Sequence, residues 1–140
     1  MSFVKIWVHA VWGTKNKYGY FNTEKKHQLI EFIKHYAREK SIFIDSINGS
    51  KEHLHCLISL SNEQNIANTI KLIKGASSNW INKTQLIKTK FQWAEDYFAV
   101  SVSESMVDKV RNYIKNQEEH HKTKSFDEEY KEFMSKYGFL

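Results

Sequence analysis

Residues 51–60 carry the pattern that most restricts the fold, because two kinds of side chain alternate there. His53 and His55 occupy odd-numbered positions, and the even-numbered positions hold the apolar residues Leu54, Cys56, Ile58 and Leu60. Successive side chains of a β-strand point to opposite faces of its sheet. The pattern therefore predicts a strand with one face in a hydrophobic core and two imidazoles together on the opposite face.

Hydrophobic periodicity predicts three further strands and two helices around this segment. Val4, Ile6, Val8, Ala10 and Trp12 alternate with Lys5, Trp7, His9 and Val11, which indicates a first strand. The other predicted elements are a helix capped by Asn22 or Thr23 and running to about Lys40, strands at 41–48 and 51–60 joined at Asn48-Gly49-Ser50, a helix beginning at Asn62 or Asn65, and a strand at 91–102.

The predicted element order is β-α-β-β-α-β, which is typical of the ferredoxin-like, split βαβ arrangement of the α+β class. Such a fold has a four-stranded antiparallel sheet with two helices on one face, and the histidines would point to the open face. A third helix at 104–121 follows the last strand and is free to cover that face. A short amphipathic tail helix is expected at 125–140, with a core at about 3–121. The chain contains no proline and no obvious linker, so one domain spanning 1–140 is expected.

Composition restricts the partners. The formal net charge is +5 and the pI about 9.2, which is compatible with a polyanion. The only arginines are Arg38 and Arg111, which argues against extensive reading of guanine edges. The single cysteine, Cys56, falls on the apolar face of its strand, so a buried thiol and a bacterial cytoplasmic location are expected. No apolar stretch suits a membrane span.

The third helix carries a tyrosine and an amide that complement the histidines. Tyr113 and Gln117 are spaced i, i+4 and share a helical face. Two imidazoles and an amide oxygen can hold Mg²⁺ or Mn²⁺, and imidazole favours Mn²⁺. A phenol beside such a metal can attack phosphorus. Each feature alone has a plainer explanation, namely solvated histidines or a tyrosine at the edge of a core. Together they predict an enzyme that cuts nucleic acid through a covalent tyrosine intermediate.

Several strings resemble the single-tyrosine transposases of the HUH endonuclease superfamily, found in bacterial insertion sequences and as repeat-associated relatives. The matching segments are His53-Leu54-His55, Lys71-Leu72-Ile73-Lys74-Gly75-Ala76-Ser77-Ser78, Tyr97-Phe98-Ala99-Val100-Ser101-Val102, and Tyr113-Ile114-Lys115-Asn116-Gln117-Glu118-Glu119-His120-His121. The resemblance covers nearly the whole chain. The histidine pair is a loose motif, whereas the string that begins at Tyr113 is specific.

The resemblance implies a site and a reaction. His53, His55 and Gln117 would bind the metal, and Tyr113 would form a 5′-phosphotyrosine with single-stranded DNA at sites marked by hairpins. It also implies a homodimer with a joined sheet, in which the tyrosine helix serves its own chain or the partner. The segment Ala94-Glu95-Asp96 and Phe98 depart from the family pattern near the last strand. They would alter the dimer seam or the DNA groove and leave the expected catalytic residues intact.

Other residues have two readings each. A DNA-binding surface is predicted for Lys71, Lys74, Lys83, Lys88 and Lys90, and solvated lysines are an equal alternative. Trp7, Trp12, Trp80 and Trp93 could stack on bases, but most are expected in the core. His120 and His121 are more simply a polar helix end than ligands.

Two other functions compete with a transposase. A non-catalytic nucleic-acid-binding module with the same fold would present aromatic residues on its open sheet face, whereas this strand presents histidines. A relaxase-like or replication-initiator nickase is usually larger and carries additional domains. The sequence therefore favours a metal-dependent endonuclease and strand transferase acting in DNA transposition.

Overall fold

A computed structural model of the chain describes residues 2–117, 119 and 124–136. The described strands and helices are β1 (Ile6–Gly13), α1 (Thr23–Glu39), β2 (Phe43–Gly49), β3 (His53–Leu60), α2 (Ile66–Thr84), β4 (Phe98–Val102), α3 (Val107–Lys115) and α4 (Phe126–Lys136). Short 3₁₀ turns lie at Lys15–Lys17 and Glu104–Met106. His120 and His121, and the predicted tail at 137–140, lie outside the described residues.

The four strands form one antiparallel sheet in the order β2-β3-β1-β4. This order confirms the predicted ferredoxin-like fold, because each β-α-β unit leaves a gap that the strand of the other unit fills. His53 and His55 lie on β3, one of the two central strands. In the register with β1, His55 is opposite Val11 and His53 is opposite Gly13.

The fourth strand is shorter than predicted, since it begins at Phe98 rather than at residue 91. The side chain of Asn82 on α2 takes up the backbone groups of Phe91, accepting from its N–H at 2.7 Å and donating to its carbonyl at 3.0 Å. Trp93 makes one isolated bridge to Thr14. A helix side chain thus replaces a strand partner over the first part of the predicted strand.

One face of the sheet packs on α1 and α2. The apolar residues of β3 lie in this core, where Leu54, Cys56 and Ile58 have no exposed surface. Burial raises the pKa of the Cys56 thiol well above its usual range, as expected for a thiol in an apolar setting. The two helices begin at asparagine caps, with Asn22 accepting from the Lys25 N–H and Asn65 from the Asn68 N–H, both at 2.8 Å.

The opposite face is covered by α3, the helix that the sequence left free to cover it. Val107 and Ile114 of α3 pack on Trp7 of β1 and Leu57 of β3 in a second, smaller core. Helix α3 is shorter than predicted, because Glu104–Met106 form a 3₁₀ turn before it and Asn116 leaves helical geometry after it. Helix α3 covers this face because its apolar stripe is removed from water when it packs on the sheet, which stabilises the packed arrangement.

Polar contacts fix α3 to the edge strand β2. The guanidinium of Arg111 donates from Nε to Asp45 Oδ1 at 2.8 Å and from Nη2 to Asp45 Oδ2 at 2.9 Å. Asn48 also donates to the carbonyl of Lys115 at 3.1 Å. The helix that carries Tyr113 is therefore held over its own chain's sheet.

Candidate metal and nucleophile site

The β2–β3 hairpin sets the position of the histidines. A Cβ at Gly49 would lie 2.0 Å from the carbonyl oxygen of His53, so only glycine allows the strands to approach this closely. The Ser50 N–H donates to the same carbonyl at 3.0 Å. A tight turn therefore places His53 at the first position of its strand, with His55 two residues along on the same face.

Both imidazoles are buried and each has a partner on Nδ1. His53 Nδ1 lies 2.8 Å from Glu52 Oε1, and His55 Nδ1 lies 2.9 Å from Nε2 of His9 on β1. The side chains of His53 and His55 have no exposed surface. The Nε2 atoms of both rings point toward one shared site beneath α3 and α4.

The electrostatics of the histidines follow from these contacts. Burial lowers the pKa of His9 to about 3, and the positive charge of His55 acts in the same direction. Burial alone also lowers the pKa of His53, but hydrogen bonds to Glu129 and Glu52 outweigh it and raise that pKa above its usual range.

Gln117 and Tyr113 reach the same place from the nucleophile helix and the residues that follow it. Gln117 Oε1 lies 3.3 Å from His53 Nε2, and Gln117 Nε2 donates to the Tyr113 carbonyl at 3.3 Å. Gln117 is fully buried. The ring of Tyr113 lies edge-on to His55, with 5.6 Å between centroids. The structure thus brings together the four residues that the sequence proposed for metal binding and nucleophilic attack.

Glu129 on α4 is a member of the site that sequence reasoning missed. Its Oε1 lies 2.7 Å from His55 Nε2 and 3.5 Å from His53 Nε2, and its Oε2 accepts the Tyr113 hydroxyl at 2.5 Å. Burial alone would raise the pKa of Glu129, but hydrogen bonds with His53 and His55 lower it far below its usual range. The only signal for its position was the amphipathic pattern of the tail.

Aromatic residues of α4 close the site. Phe126 stacks on the His53 ring at 4.0 Å between centroids with an interplanar angle of 5°. Phe133 lies edge-on to His9 at 5.6 Å and to Tyr113 at 5.7 Å. Burial raises the pKa of the Tyr113 hydroxyl above its usual range, and the hydrogen bond and charge of Glu129 raise it further.

The donor set fits a divalent cation. His53, His55 and Glu129 each offer one ligand atom, and these atoms lie within 4.8 Å of one another. Gln117 Oε1 adds an amide oxygen beside His53. Two imidazole nitrogens with carboxylate and amide oxygens suit a borderline metal such as Mn²⁺, and Mg²⁺ less well.

The five predicted DNA-binding lysines do not join this cluster. Lys71, Lys74 and Lys83 lie on α2, on the helical side of the sheet, and Lys88 and Lys90 lie in the segment after it. Lys74 is half-buried and donates to the carbonyls of Ala94 at 2.7 Å and Glu95 at 3.2 Å, while the other four are exposed. Lys71, Lys74 and Lys83 thus lie on a helix that packs on the face of the sheet opposite to Tyr113.

Three of the four tryptophans are core residues. Trp7, Trp12 and Trp93 are each at most 8% exposed. Trp80 is partly buried and stacks on Phe32, with 4.8 Å between centroids. This distribution agrees with the expectation that most of them stabilise the fold.

Comparison with known proteins identifies the family. A family model described as IS200-like transposases matches residues 2–117. The chain belongs to this family. It is also 24% identical over 114 residues to the ISDra2 transposase TnpA of Deinococcus radiodurans, a match that covers 78% of this chain and 81% of that protein. The predicted resemblance to bacterial insertion-sequence transposases is confirmed.

Two solved structures share the fold of this IS200-like transposase. One is a putative transposase from Deinococcus radiodurans, with a TM-score of 0.68 and 21% identity over 83% of this chain and 93% of that one. The other is a REP-associated tyrosine transposase bound to a REP hairpin, with a TM-score of 0.65 and 15% identity over 86% and 72% of the chains. Helix α4 and Glu129 lie beyond the residues that the family model matches.

Within the described part of the chain, no helix combines the length and the apolar character needed to cross a membrane.

Proposed function

We propose that this IS200-like transposase cuts and rejoins single-stranded DNA with Tyr113 as its nucleophile. The observation that carries the proposal is the meeting of Tyr113 and Gln117 with the buried pair His53 and His55. The family supports DNA cleavage and rejoining in transposition. The single-tyrosine mechanism, the metal and the form of the DNA are the finer parts of the proposal.

The proposed chemical step is a phosphoryl transfer from the DNA 3′ oxygen to the tyrosine oxygen. The Tyr113 oxygen attacks phosphorus, an O–P bond to the tyrosine forms, and the bond from phosphorus to the 3′ oxygen breaks. The phenol loses a proton and the 3′ oxygen gains one, so the step needs no further reactant. The 5′-phosphotyrosine that results conserves the bond energy, and attack by another 3′ hydroxyl rejoins the strand.

His53, His55 and Gln117 are proposed as the residues that hold Mg²⁺ or Mn²⁺. When bound, the metal acts as a Lewis acid that neutralises charge on the phosphate oxygens. The chain itself contributes rigidity: a strand fixes both imidazoles, and the nucleophile helix brings the amide and the phenol to them. Because these groups are already held together in a buried site, little entropy is lost in bringing them to a bound phosphate.

The proposed substrate is single-stranded DNA that carries a hairpin. The structural neighbour bound to a REP hairpin supports a hairpin ligand. Residues Lys71, Lys74, Lys83, Lys88 and Lys90 are proposed to contact phosphates of the paired stem. The covered sheet face leaves little room for a duplex at Tyr113, so the scissile phosphate is proposed to lie in an unpaired strand.

A homodimer with a joined sheet is proposed through β4. Among the described residues, β4 pairs with β1 on one edge and no strand covers its other edge. An uncovered edge strand invites pairing with a second copy. The contacts of Tyr113 and Gln117 with the histidines of the same chain support a site built within one protomer.

An adduct assay tests the proposal. A labelled hairpin oligonucleotide with an unpaired flank is incubated with Mn²⁺, and a denaturation-resistant protein–DNA adduct is expected from the wild type. Tyr113→Phe should form none, and EDTA should abolish the adduct. Tyr36→Phe is the matched control, because Tyr36 lies on α1, which packs on the face of the sheet opposite to the histidines. DNA binding without any adduct would instead favour the non-catalytic module.

A further inference from the structure

His9 is a buried imidazole that the proposed mechanism does not use. It lies on β1, opposite Leu57 of β3 and Val100 of β4, and only 2% of it is exposed. Its Nε2 is 2.9 Å from Nδ1 of His55. The backbone of His9 is held between two neighbouring strands, and the ring of Phe133 packs edge-on against its imidazole, so the contact with His55 is fixed.

The chemistry of a ligand imidazole defines what His9 must do. A histidine that gives its Nε2 lone pair to a cation carries its remaining proton on Nδ1, so the atom that faces Nδ1 has to accept a hydrogen bond. For His53 that acceptor is the Glu52 carboxylate, 2.8 Å away. For His55 the atom in the same position is His9 Nε2.

We propose that His9 is a positioning residue for the metal site: its Nε2 accepts the Nδ1–H of His55 and thereby directs the Nε2 lone pair of His55 to the cation when the metal is bound. This inference rests on the proposed function, since it requires that His55 binds a metal. Outer partners of this kind set the tautomer and orientation of a ligand imidazole, and their loss costs about 10- to 100-fold in metal affinity or activity.

The test compares an acceptor with its apolar replacements. Mn²⁺ binding is measured by the loss of the free-ion electron paramagnetic resonance signal, for the wild type and for His9→Leu, His9→Met and His9→Gln. The leucine and methionine variants should bind Mn²⁺ about 10- to 100-fold more weakly. The glutamine variant, whose amide oxygen can still accept from Nδ1–H, should stay within a few-fold of wild type. His35→Gln is the control, because His35 is exposed on α1 and pairs with Glu39.

The outcomes separate the two proposals. If the wild type binds no Mn²⁺, the metal site itself fails. If the wild type binds and the leucine and methionine variants bind equally well, the role of His9 is overturned. If the glutamine variant is as weak as the apolar ones, packing rather than an accepted hydrogen bond explains the loss, which also overturns the role.

A second measurement needs no variant. Long-range ¹H–¹⁵N correlation spectra of the Mg²⁺-loaded wild type report which ring nitrogen carries a proton. His55 should carry its proton on Nδ1, and His9 Nε2 should be unprotonated. A proton on His9 Nε2 in the loaded protein would contradict the proposal even if the variants fail to fold.

Discussion

One carboxylate joins Tyr113 to His55: Glu129 accepts the Tyr113 hydroxyl through Oε2 at 2.5 Å, and its Oε1 lies 2.7 Å from His55 Nε2. An anion therefore already occupies the space between the proposed nucleophile and a proposed metal ligand. A DNA phosphate that is to reach Tyr113 has to displace it, because two anions repel each other in a poorly solvated site.

The first prediction concerns the ionisation of Tyr113. Glu129→Gln should lower the pKa of the Tyr113 hydroxyl, because the negative charge and the hydrogen bond of Glu129 both raise it. Tyrosinate absorbance is followed against pH, and the Tyr113 titration is obtained by subtracting the curve of the corresponding Tyr113→Phe protein. Glu128→Gln is the matched control, since Glu128 is an exposed neighbour on the same helix. An unchanged or higher Tyr113 pKa in the Glu129 variant would contradict the contact.

The second prediction concerns access to the histidines. Replacing Phe126 and Phe133 with alanine should increase the rate at which diethyl pyrocarbonate modifies His53 and His55 by several-fold, because the aromatic rings that close the site are lost. Mass spectrometry of peptides measures each histidine separately. The exposed His35 serves as an internal reference, and Lys131→Ala on the outer side of α4 should have no effect. Equal protection in the double-alanine protein would show that α4 is not what covers the site.

The third prediction concerns the link between α3 and the sheet. Asp45→Asn should lower the melting temperature and speed hydrogen exchange in α3, because Asp45 holds both Nε and Nη2 of Arg111. Asp108→Asn is the control, since Asp108 contacts the same arginine but is 89% exposed. An effect of Asp108→Asn as large as that of Asp45→Asn would argue that the β2 contact has no special role.

The same pair predicts a pH dependence with a definite sign. The hydrogen bond from Arg111 lowers the pKa of Asp45 below its ordinary value of 3.8. A carboxyl whose pKa is depressed in the folded state stabilises the fold above its unfolded pKa and loses that contribution as the pH falls through its folded pKa. The difference in melting temperature between the wild type and Asp45→Asn should therefore be full at neutral pH and shrink below pH 3.8. A gap that widens in acid would contradict this linkage.

The fourth prediction concerns how sites are divided between chains. Mixing Tyr113→Phe protein with His55→Ala protein should not restore cleavage, because Tyr113 lies beside the His55 of its own chain. Adduct formation after mixing and refolding the two proteins together is the readout, with a wild-type and Tyr113→Phe mixture as the positive control. Restored cleavage would mean that the nucleophile helix crosses to a partner.

The parts of the structure that the sequence predicted well are those set by local pattern. The alternation along β3 predicted His53 and His55 on one face of the sheet and Leu54 and Cys56 on the other, and the fold has this arrangement. The start of β4 was wrong because a β-prone composition does not reveal that Asn82, a helix residue, satisfies the Phe91 backbone. Glu129 was missed for a related reason. An amphipathic pattern defines which face of α4 is buried but not which surface receives it.

The complete enclosure of His53, His55 and Gln117 has a kinetic consequence. A cation or a phosphate enters only while α4 is detached from the site. The frequency of that local opening therefore sets an upper limit on the rate of exchange, whatever the strength of binding. Metal uptake should then become independent of metal concentration once the concentration is high. The residence time of a bound ion would then be at least as long as the average time between openings of α4.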